Sequence, residues 1–412
     1  MAPLFLRYDR SDPALTKDPW TLHREAAVYQ ALQDTPVPVP RVLAVHPRHQ
    51  AMLAERVAGG NWFSRITDPA EREATARDFM THLAALHRLD PARLDLASLP
   101  AADTVQDAVG HELDEWERVL RQRGGTPDPA LTFTLDWLRR HVPPYEGPLV
   151  LVQGDTGPGN FMFAGGKVVA VVDWELAHIG DPMDDIAWLT LRATQEPFPD
   201  LPARLREYEA LSGHAVDEGR VRYYRVMAEA KLQVMGHRAD GAGPGAEGGG
   251  GDVGNGFVYG LLHRRLWLQA LAAATGFELA PAAAPTARPA RDHDWMYGAV
   301  LAQLRQVIVP RISDPLAATR AKGIARLVKY LAAADTYGAY CEVAELNDLE
   351  QLLGDRPPSV AAGREAAATA ARAGAVSDEG YLGYLWRRVQ RETELARPAM
   401  GVLADRHWPE LR

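Results

Sequence analysis

The segment Leu151–Trp188 constrains this chain most, because it sets acidic and amide side chains at fixed spacing between apolar runs. Asp155 and Asn160 lie five positions apart in a loop rich in glycine and proline. Asp173 follows the apolar run Val168–Val172, which is typical of a strand. Because strands on both sides of a polar loop bring its side chains together, we expect these three residues to share one site.

These residue types are the ones that phosphoryl transfer requires. The transferred group carries charge on its oxygens, so catalysis depends on positioning and on neutralisation by metal ions. Asp155 is the candidate catalytic base, and Asn160 and Asp173 are the candidate ligands of Mg²⁺, which prefers hard oxygen donors. In protein kinases an Asp and an Asn occur in this order, with a metal-binding Asp on the next strand. The segment therefore predicts a small-molecule kinase that uses ATP and Mg²⁺.

The same residues resemble the aminoglycoside phosphotransferase-like family, in the branch associated with acyl-CoA dehydrogenases. The family pattern is roughly HGDxxxxN, DWE and GDPxxDlAW, and this chain has QGD before Asn160, DWE at 173–175 and GDPMDDIAW at 180–188. The resemblance extends over about Leu4–Gly276. It implies an α+β class with a two-lobed protein-kinase-like fold, in which a short antiparallel N-lobe precedes a mostly helical C-lobe.

Some positions in these motifs depart from the pattern or have two interpretations. Gln153 stands where the family usually has His, and since Gln also donates and accepts hydrogen bonds, we expect activity to be retained. Asp181 and Asp185, on either side of a proline turn, predict a helix start at which carboxylates cap backbone amides. Glu175 is either a second metal ligand or a solvated neighbour. His82 and His87 lack metal-ligand spacing and are expected to be packing residues.

The N-terminal part supplies candidate nucleotide-binding residues. The resemblance implies that Arg7, in a short apolar strand, reaches the nucleotide phosphates and that Glu25, in a predicted helix, is its partner carboxylate. It also implies that the stretch Met52–Gly59 forms a hinge that receives the adenine, with Glu55 and Val57 as binding residues.

Six residues precede Arg7, whereas family members have two more strands and a phosphate-covering loop before this position. Two explanations stay open: the start codon lies further upstream, or the lobe is a short variant with weaker nucleotide affinity. The missing loop and Gln153 together keep a third possibility open, a nucleotide-binding pseudokinase that regulates a partner.

Composition limits the partners of the chain. Its 412 residues carry a net charge of −9 with a pI near 5.8, which disfavours a nucleic-acid partner. The single cysteine, Cys341, excludes an internal disulfide and suits a reducing compartment. No signal-peptide pattern or run of about eighteen apolar residues occurs. We expect a cytoplasmic protein without membrane contact, and its oligomeric state stays open.

The acceptor class is predicted from charge and resemblance together. The predicted helices at 221–234 and 257–272 are basic inside an acidic protein. Aminoglycosides are polycations that need an acidic cleft, whereas an acyl-CoA carries phosphates that favour Arg and Lys. The leading acceptor is therefore the hydroxyl of a hydroxyacyl-CoA, with an aminoglycoside, choline or sugar kinase as alternatives.

Composition shifts predict the domain order. We expect an N-lobe at 1–58, a catalytic and acceptor-binding C-lobe at 59–276, an Ala/Pro linker at 277–291 and a helical accessory domain at 292–412. Apolar spacing in the accessory domain predicts about five helices, an all-α bundle, at 295–309, 318–334, 340–353, 359–372 and 378–397. It resembles a small domain of unknown function fused to such phosphotransferases. The glycine-dense stretch 241–256 predicts a flexible connector.

Overall fold

The computed structural model describes residues 3–9, 19–237 and 252–412. The chain divides into two compact units, the first made of residues 1–119, 138–228 and 408–412, the second of residues 120–137 and 229–407. This division does not follow the predicted domain boundary near residue 277. The reason is that the helix Val253–Thr275 packs against later helices of the second unit.

An antiparallel sheet of three strands opens the first unit. Its strands are β1 (Leu4–Tyr8), β2 (Val42–Val45) and β3 (Ala51–Glu55), in the order β1-β3-β2. Helix α1 (Leu22–Leu32) starts where the Thr21 hydroxyl accepts a hydrogen bond from the Arg24 amide at 3.1 Å. Glu25, Val28, Tyr29 and Leu32 are its buried residues at helical spacing, so a carboxylate lies on the inward face of α1.

Two short antiparallel ladders support the residues of the predicted site. Strand β4 (Val150–Val152) pairs with β7 (His178–Gly180), and β5 (Phe161–Ala164) pairs with β6 (Lys167–Val171). The turn between β5 and β6 is Gly165-Gly166, both with positive φ, as a two-residue hairpin requires. The chain between β4 and β5 carries Asp155 and Asn160, and Asp173 follows β6.

Helices make up most of the chain between residues 69 and 236 that the two ladders do not occupy. They are α2 (Pro69–His87), α3 (Val105–Arg123), α4 (Pro129–Arg140), α5 (Pro182–Gln195), α6 (Leu201–Ser212) and α7 (Glu218–Gly236). Aromatic contacts fix β5 against α2, since the Phe79 and Phe161 rings stack with centroids 4.5 Å apart. Trp174 and Trp188 are buried beside the predicted site residues. The site is therefore held by a packed core.

The C-terminal part is all-α, as predicted. Its helices are α8 (Val253–Thr275), α9 (Trp295–Gln303), α10 (Pro315–Leu353), α11 (Val360–Arg372) and α12 (Asp378–Met400). A π-helical turn, Leu304–Ile308, follows α9. The predicted helices 318–334 and 340–353 are one helix of 39 residues. The predicted break is wrong because one interior glycine, Gly338, costs only about 1 kcal/mol, which packing against α12 offsets.

Of the glycine-dense stretch, residues 241–251 lie outside the described residues. Residues from Val253 onward begin α8, because the Asp252 carboxylate caps its first turn by accepting from the Asn255 amide at 3.0 Å. In the part of the chain that the structure describes, no helix combines the length and hydropathy needed to cross a membrane.

Candidate active site

The loop from β4 to β5 fixes the carboxylate of Asp155 from two sides. The Asn160 amide nitrogen donates to both the main-chain oxygen and Oδ2 of Asp155, each at 2.8 Å. Arg192 of α5 donates from Nε to Asp155 Oδ1 at 2.7 Å and from Nη2 to Oδ2, a fork contact. The Asp155 side chain is 17% exposed, so a substrate hydroxyl can reach it. Burial raises the pKa of Asp155, and Arg192 and Asn160 act in the opposite direction.

A second, fully buried carboxylate anchors the same loop. Asp185 of α5 accepts from the amides of Gln153 at 2.9 Å and Gly154 at 3.0 Å, and from the Thr156 hydroxyl. Its Oδ2 lies 3.0 Å from His87 Nε2. Burial alone would raise the pKa of Asp185, but these donors hold the pKa below its usual value. The loop is therefore pinned to α5 by one side chain.

The helix-start interpretation holds for both residues, because Asp181 is the N-cap and Asp185 lies in the first turn of α5. Asp181 accepts from the Met183 amide at 2.9 Å. The oxygens of Asp185 face the loop. His87, expected to be a packing residue, is buried and also bridges Asp185 to the Tyr208 hydroxyl, which lies 2.6 Å from His87 Nδ1.

Arg7, Glu25, Asp173 and Glu175 form an acid cluster in which three carboxylates meet one guanidinium. Arg7 Nη1 lies 2.6 Å from Glu25 Oε1 and 3.3 Å from Asp173 Oδ1, and Arg7 Nη2 lies 3.2 Å from Glu175 Oε2. Burial raises the pKa of Glu25 to about 7, although Arg7 lowers it. The carboxylates of Asp173 and Glu175 thus lie beside one guanidinium, and carboxylate oxygens are ligands that a hard cation prefers.

Asp173 is held in a conformation that few non-glycine residues adopt, with φ at 66°. The Asp173 amide donates to the Tyr29 hydroxyl at 3.1 Å. Gln153 Nε2 donates to the main-chain oxygens of Val172 and Asp173, at 3.1 and 2.7 Å. Gln153 thus links the loop of Asp155 to the turn of Asp173.

A cavity of about 500 Å³ lies beside these residues in the first unit. Its polar lining includes Arg7, Asn160 and Asp173, and Glu55 and Val57 line it at the end of β3. Glu25 does not line it and contacts it only through Arg7. Side chains of apolar residues form the remaining wall, among them Met52, Ala54, Met162 and Val172. The structure thus brings the residues named from the sequence for nucleotide and metal binding to this cavity, except Glu25, which lies behind Arg7.

The oxygen atoms of Asn160, Asp173 and Glu175 are of the kind that binds a hard cation. Both hydrogen-bond contacts of the Asn160 amide nitrogen go to Asp155, and in the described residues no donor bonds its amide oxygen. Asp173 and Glu175 add carboxylate oxygens that share a single guanidinium. Mg²⁺ takes oxygen ligands of this kind and keeps several waters.

The model of one protein family, described as the phosphotransferase enzyme family, matches residues 5–224, more than half of the chain. The chain belongs to this family. Its kinase-like α+β fold, predicted from the sequence, is confirmed.

Relatives of this phosphotransferase include much longer proteins. Acyl-CoA dehydrogenase family member 10 of Mus musculus is 29% identical over 180 residues, which is 41% of this chain and 16% of that protein. Acyl-CoA dehydrogenase family member 11 of Rattus norvegicus is 30% identical over 183 residues, which is 41% of this chain and 23% of that protein. The phosphotransferase thus matches less than a quarter of the length of these relatives.

Solved structures similar to the phosphotransferase include two aminoglycoside phosphotransferases. A putative one from Ralstonia eutropha has a TM-score of 0.44 at 20% identity, covering 67% of this chain and 89% of that chain. One from Streptomyces rimosus, in complex with ADP and streptomycin, has a TM-score of 0.41 at 18% identity, covering 56% of this chain and 86% of that chain.

Sequence reasoning missed Arg192, the residue in closest contact with Asp155. Arg192 lies seven positions after Asp185, two helical turns, so both side chains are on the face of α5 that meets the loop. This seven-residue spacing is the sequence feature from which Arg192 could have been predicted.

The basic residues of 221–234 and 257–272 are mostly engaged within the fold. Arg222 pairs with Glu218 at 2.9 Å, and Arg225 donates to Thr190 and to the main chain at Pro409. Arg264 pairs with Glu392, and Arg265 donates to main-chain oxygens at 403–406. These charges therefore give little support to an anionic acceptor.

Proposed function

We propose that this phosphotransferase moves the γ-phosphoryl group of ATP to the hydroxyl of a small metabolite, and that the metabolite is a hydroxyacyl-CoA. The observation that carries the proposal is the convergence of the fixed Asp155 carboxylate and its partner Asn160 with the acid cluster around Arg7. One group serves proton transfer and the other binds metal and phosphate, which are the two requirements of phosphoryl transfer.

The 500 Å³ cavity is the proposed nucleotide site. The main chain and side chains of Glu55 and Val57 receive the adenine against the apolar wall. Arg7, oriented by the buried Glu25 at 2.6 Å, contacts the phosphates. A guanidinium that already has a fixed partner loses less conformational entropy when it binds an anion.

Asp173 and the amide oxygen of Asn160 are the proposed Mg²⁺ ligands, and Glu175, which contacts the same Arg7 as Asp173, is the third candidate. The bound ion supplies neutralisation of the charge on the phosphate oxygens. Asp173 is pre-positioned for this role, since the Tyr29 hydroxyl and the Gln153 amide fix the backbone at its strained φ.

Asp155 is the proposed base. The hydroxyl oxygen of the acceptor forms the new bond to the γ-phosphorus, the bond from that phosphorus to the bridging oxygen of ADP breaks, and the hydroxyl proton moves to Asp155. Arg192 keeps Asp155 ionised and oriented, while Asp185 holds the loop. General-base assistance of this kind contributes typically about 10²- to 10⁴-fold in rate.

The hydroxyacyl-CoA acceptor is supported by the relatives named for acyl-CoA dehydrogenases. Phosphorylation of a hydroxyl on an acyl chain creates a good leaving group for later elimination. The alternatives are an aminoglycoside, as in the named structural relatives, or choline or a sugar.

The test is release of ADP from Mg-ATP by the full chain with matched panels of hydroxyacyl-CoA thioesters, aminoglycosides, choline and sugars. Turnover that requires the hydroxyl of the acyl-CoA and vanishes with the unsubstituted acyl-CoA is the expected result. Turnover with another panel overturns the acceptor, and nucleotide binding without turnover on any panel would support a pseudokinase.

A further inference from the structure

The second unit contains a cavity of about 820 Å³ that no residue of the proposed active site lines. Its walls come from α9, the π-helical turn, α10 and the residues 398–402 at the end of α12. This volume is within the range of small-molecule pockets, which is about 300–1,000 Å³.

The charged lining of this cavity is entirely cationic. Arg305 comes from the π-helical turn, and Lys322, Arg326 and Lys329 come from α10 at spacings of four and three residues, on one helix face. No Asp or Glu lines the cavity, and within the described ranges none of the four pairs with a carboxylate. The surrounding sequence is also basic, since residues 295–331 contain six Lys or Arg and a single Asp.

Two other arginines of the second unit, by contrast, have carboxylate partners. Arg364 meets Glu345 at 2.7 Å, and Arg387 meets Asp348 at 2.7 Å. Four cations on one concave surface without a counter-charge repel each other and attract an anion. A phosphate, with up to two charges and several acceptor oxygens, suits four such donors better than a single carboxylate does.

The rest of the lining is apolar. Leu301, Leu304, Val309 and Met400 contribute side chains, and Val402 remains 71% exposed at the rim. None of the residues of α9 is buried, although the helix is mostly hydrophobic. A ligand with a hydrocarbon portion would cover this surface.

The backbone at the cavity is unusual as well. Residues Leu304–Ile308 are π-helical, and Leu304, Arg305 and Gln306 of this turn line the cavity. The π-helix is rare and occurs most often at functional sites, because it gives up regular α-helical bonding to place side chains.

We propose that this cavity binds an anionic amphiphile, with a phosphate head group on Arg305, Lys322, Arg326 and Lys329 and a hydrocarbon tail against the apolar wall. This site is separate from the phosphotransferase reaction and does not rest on it. The test measures binding of an amphiphile and not phosphoryl transfer, so failure of this proposal does not affect the proposed function, and the reverse also holds.

The first experiment is calorimetric titration of the full chain with dodecyl phosphate kept below its micelle concentration. We expect saturable binding, with much weaker binding of inorganic phosphate and of uncharged dodecyl maltoside. Equal binding of dodecyl maltoside would show that charge has no role and would overturn the site. Binding of phosphatidate vesicles without binding of dodecyl phosphate would identify a membrane-facing surface and would also overturn it.

Variants locate the binding in the cavity. Arg326→Gln together with Lys329→Gln should weaken dodecyl phosphate binding by about ten- to hundredfold, the usual value of losing charge-assisted hydrogen bonds. Arg356→Gln is the matched control, because Arg356 is an exposed cation of the same unit that pairs with Glu350 at 2.8 Å. Ala325→Trp, which fills the cavity, should abolish binding without removing a charge. Unchanged affinity in the double variant or in Ala325→Trp would contradict the site.

Discussion

Two groups of carboxylates, one in each unit, differ in how they contact cations among the described residues. In the acid cluster, Glu25, Asp173 and Glu175 all contact the guanidinium of Arg7. In the ionic network of α10 with α11 and α12, each carboxylate has its own guanidinium. The members of this network are Glu345, Asp348, Arg364, Arg387, Arg391 and the hydroxyl of Tyr384.

The number of hydrogen-bond donors that each carboxylate contacts separates the structural network from the binding site. Glu345 accepts on both oxygens, from Arg364 at 2.7 and 2.8 Å and from Tyr384 at 2.8 Å. Glu25 is fully buried, yet among the described residues its second oxygen has no hydrogen-bond partner. Carboxylates that meet all their donors hold helices together, whereas those with too few have capacity for a ligand.

The largest effect is expected at Asp155, because its carboxylate is assigned to catalysis and not to stability. Asp155→Asn should lower turnover by about 10²- to 10⁴-fold, because the amide cannot accept the hydroxyl proton. The amide keeps hydrogen-bond capacity toward Asn160, so Mg-ATP affinity should stay nearly unchanged. Steady-state kinetics and calorimetric titration measure the two quantities. Unchanged turnover would remove Asp155 from the role of base.

The next effect distinguishes the two proposed metal ligands. Asp173→Ala should weaken Mg-ATP binding by about a hundredfold, and Asn160→Ala by about tenfold, because the carboxylate contributes a full anion and the amide only a dipole. Titrations of ATP with and without Mg²⁺ measure the metal-dependent part. Equal losses for the two variants would argue against this assignment.

In the ionic network of α10 with α11 and α12, a substitution should lower stability without changing nucleotide binding. Asp348→Asn should lower the free energy of unfolding by about 2–3 kcal/mol, because Arg391, only 7% exposed, loses its counter-charge. Mg-ATP affinity should not change. Urea denaturation measures the effect, with Asp405→Asn as the control, since Asp405 pairs with Arg397 on the surface and should matter little. A loss of nucleotide affinity in Asp348→Asn would end the distinction between the two groups.

The sequence was sufficient for the residues that are fixed by local order. Asp155 and Asn160 lie in the loop between β4 and β5, and the pairing of β5 with β6 brings Asp173 back beside Asn160. Glu25 and Arg7 were found only through resemblance, because their 2.6 Å contact joins a helix to a strand 18 positions away. The helical class of the C-terminal part followed from apolar spacing, although one helix break was misplaced.

The remaining features depend on tertiary contacts that local patterns do not encode. The sequence predicts only a helix-start role for Asp185, because it follows Asp181-Pro182. Packing of α5 against the loop, however, places four hydrogen-bond donors around its carboxylate. Arg192 and His87 look like ordinary helix residues until their partners, 37 and 98 positions away, are known. The acid cluster, likewise, forms only when three separate segments meet.

The smallest effect concerns how Arg192 sets the working pH of Asp155. Asp155 acts as a base only when ionised, so activity is lost as pH falls through its pKa. Burial raises that pKa and Arg192 lowers it, so Arg192→Gln should move the acid limb of kcat/KM to higher pH. At a fixed pH on that limb, activity should fall and recover at higher pH. Arg220→Gln is the control, because Arg220 contacts Asp181 at the start of the same helix at 3.0 Å and should leave the limb in place. If Arg192 instead only blocks access to the base, its substitution raises turnover at every pH without moving the limb, and its role in ionising Asp155 fails.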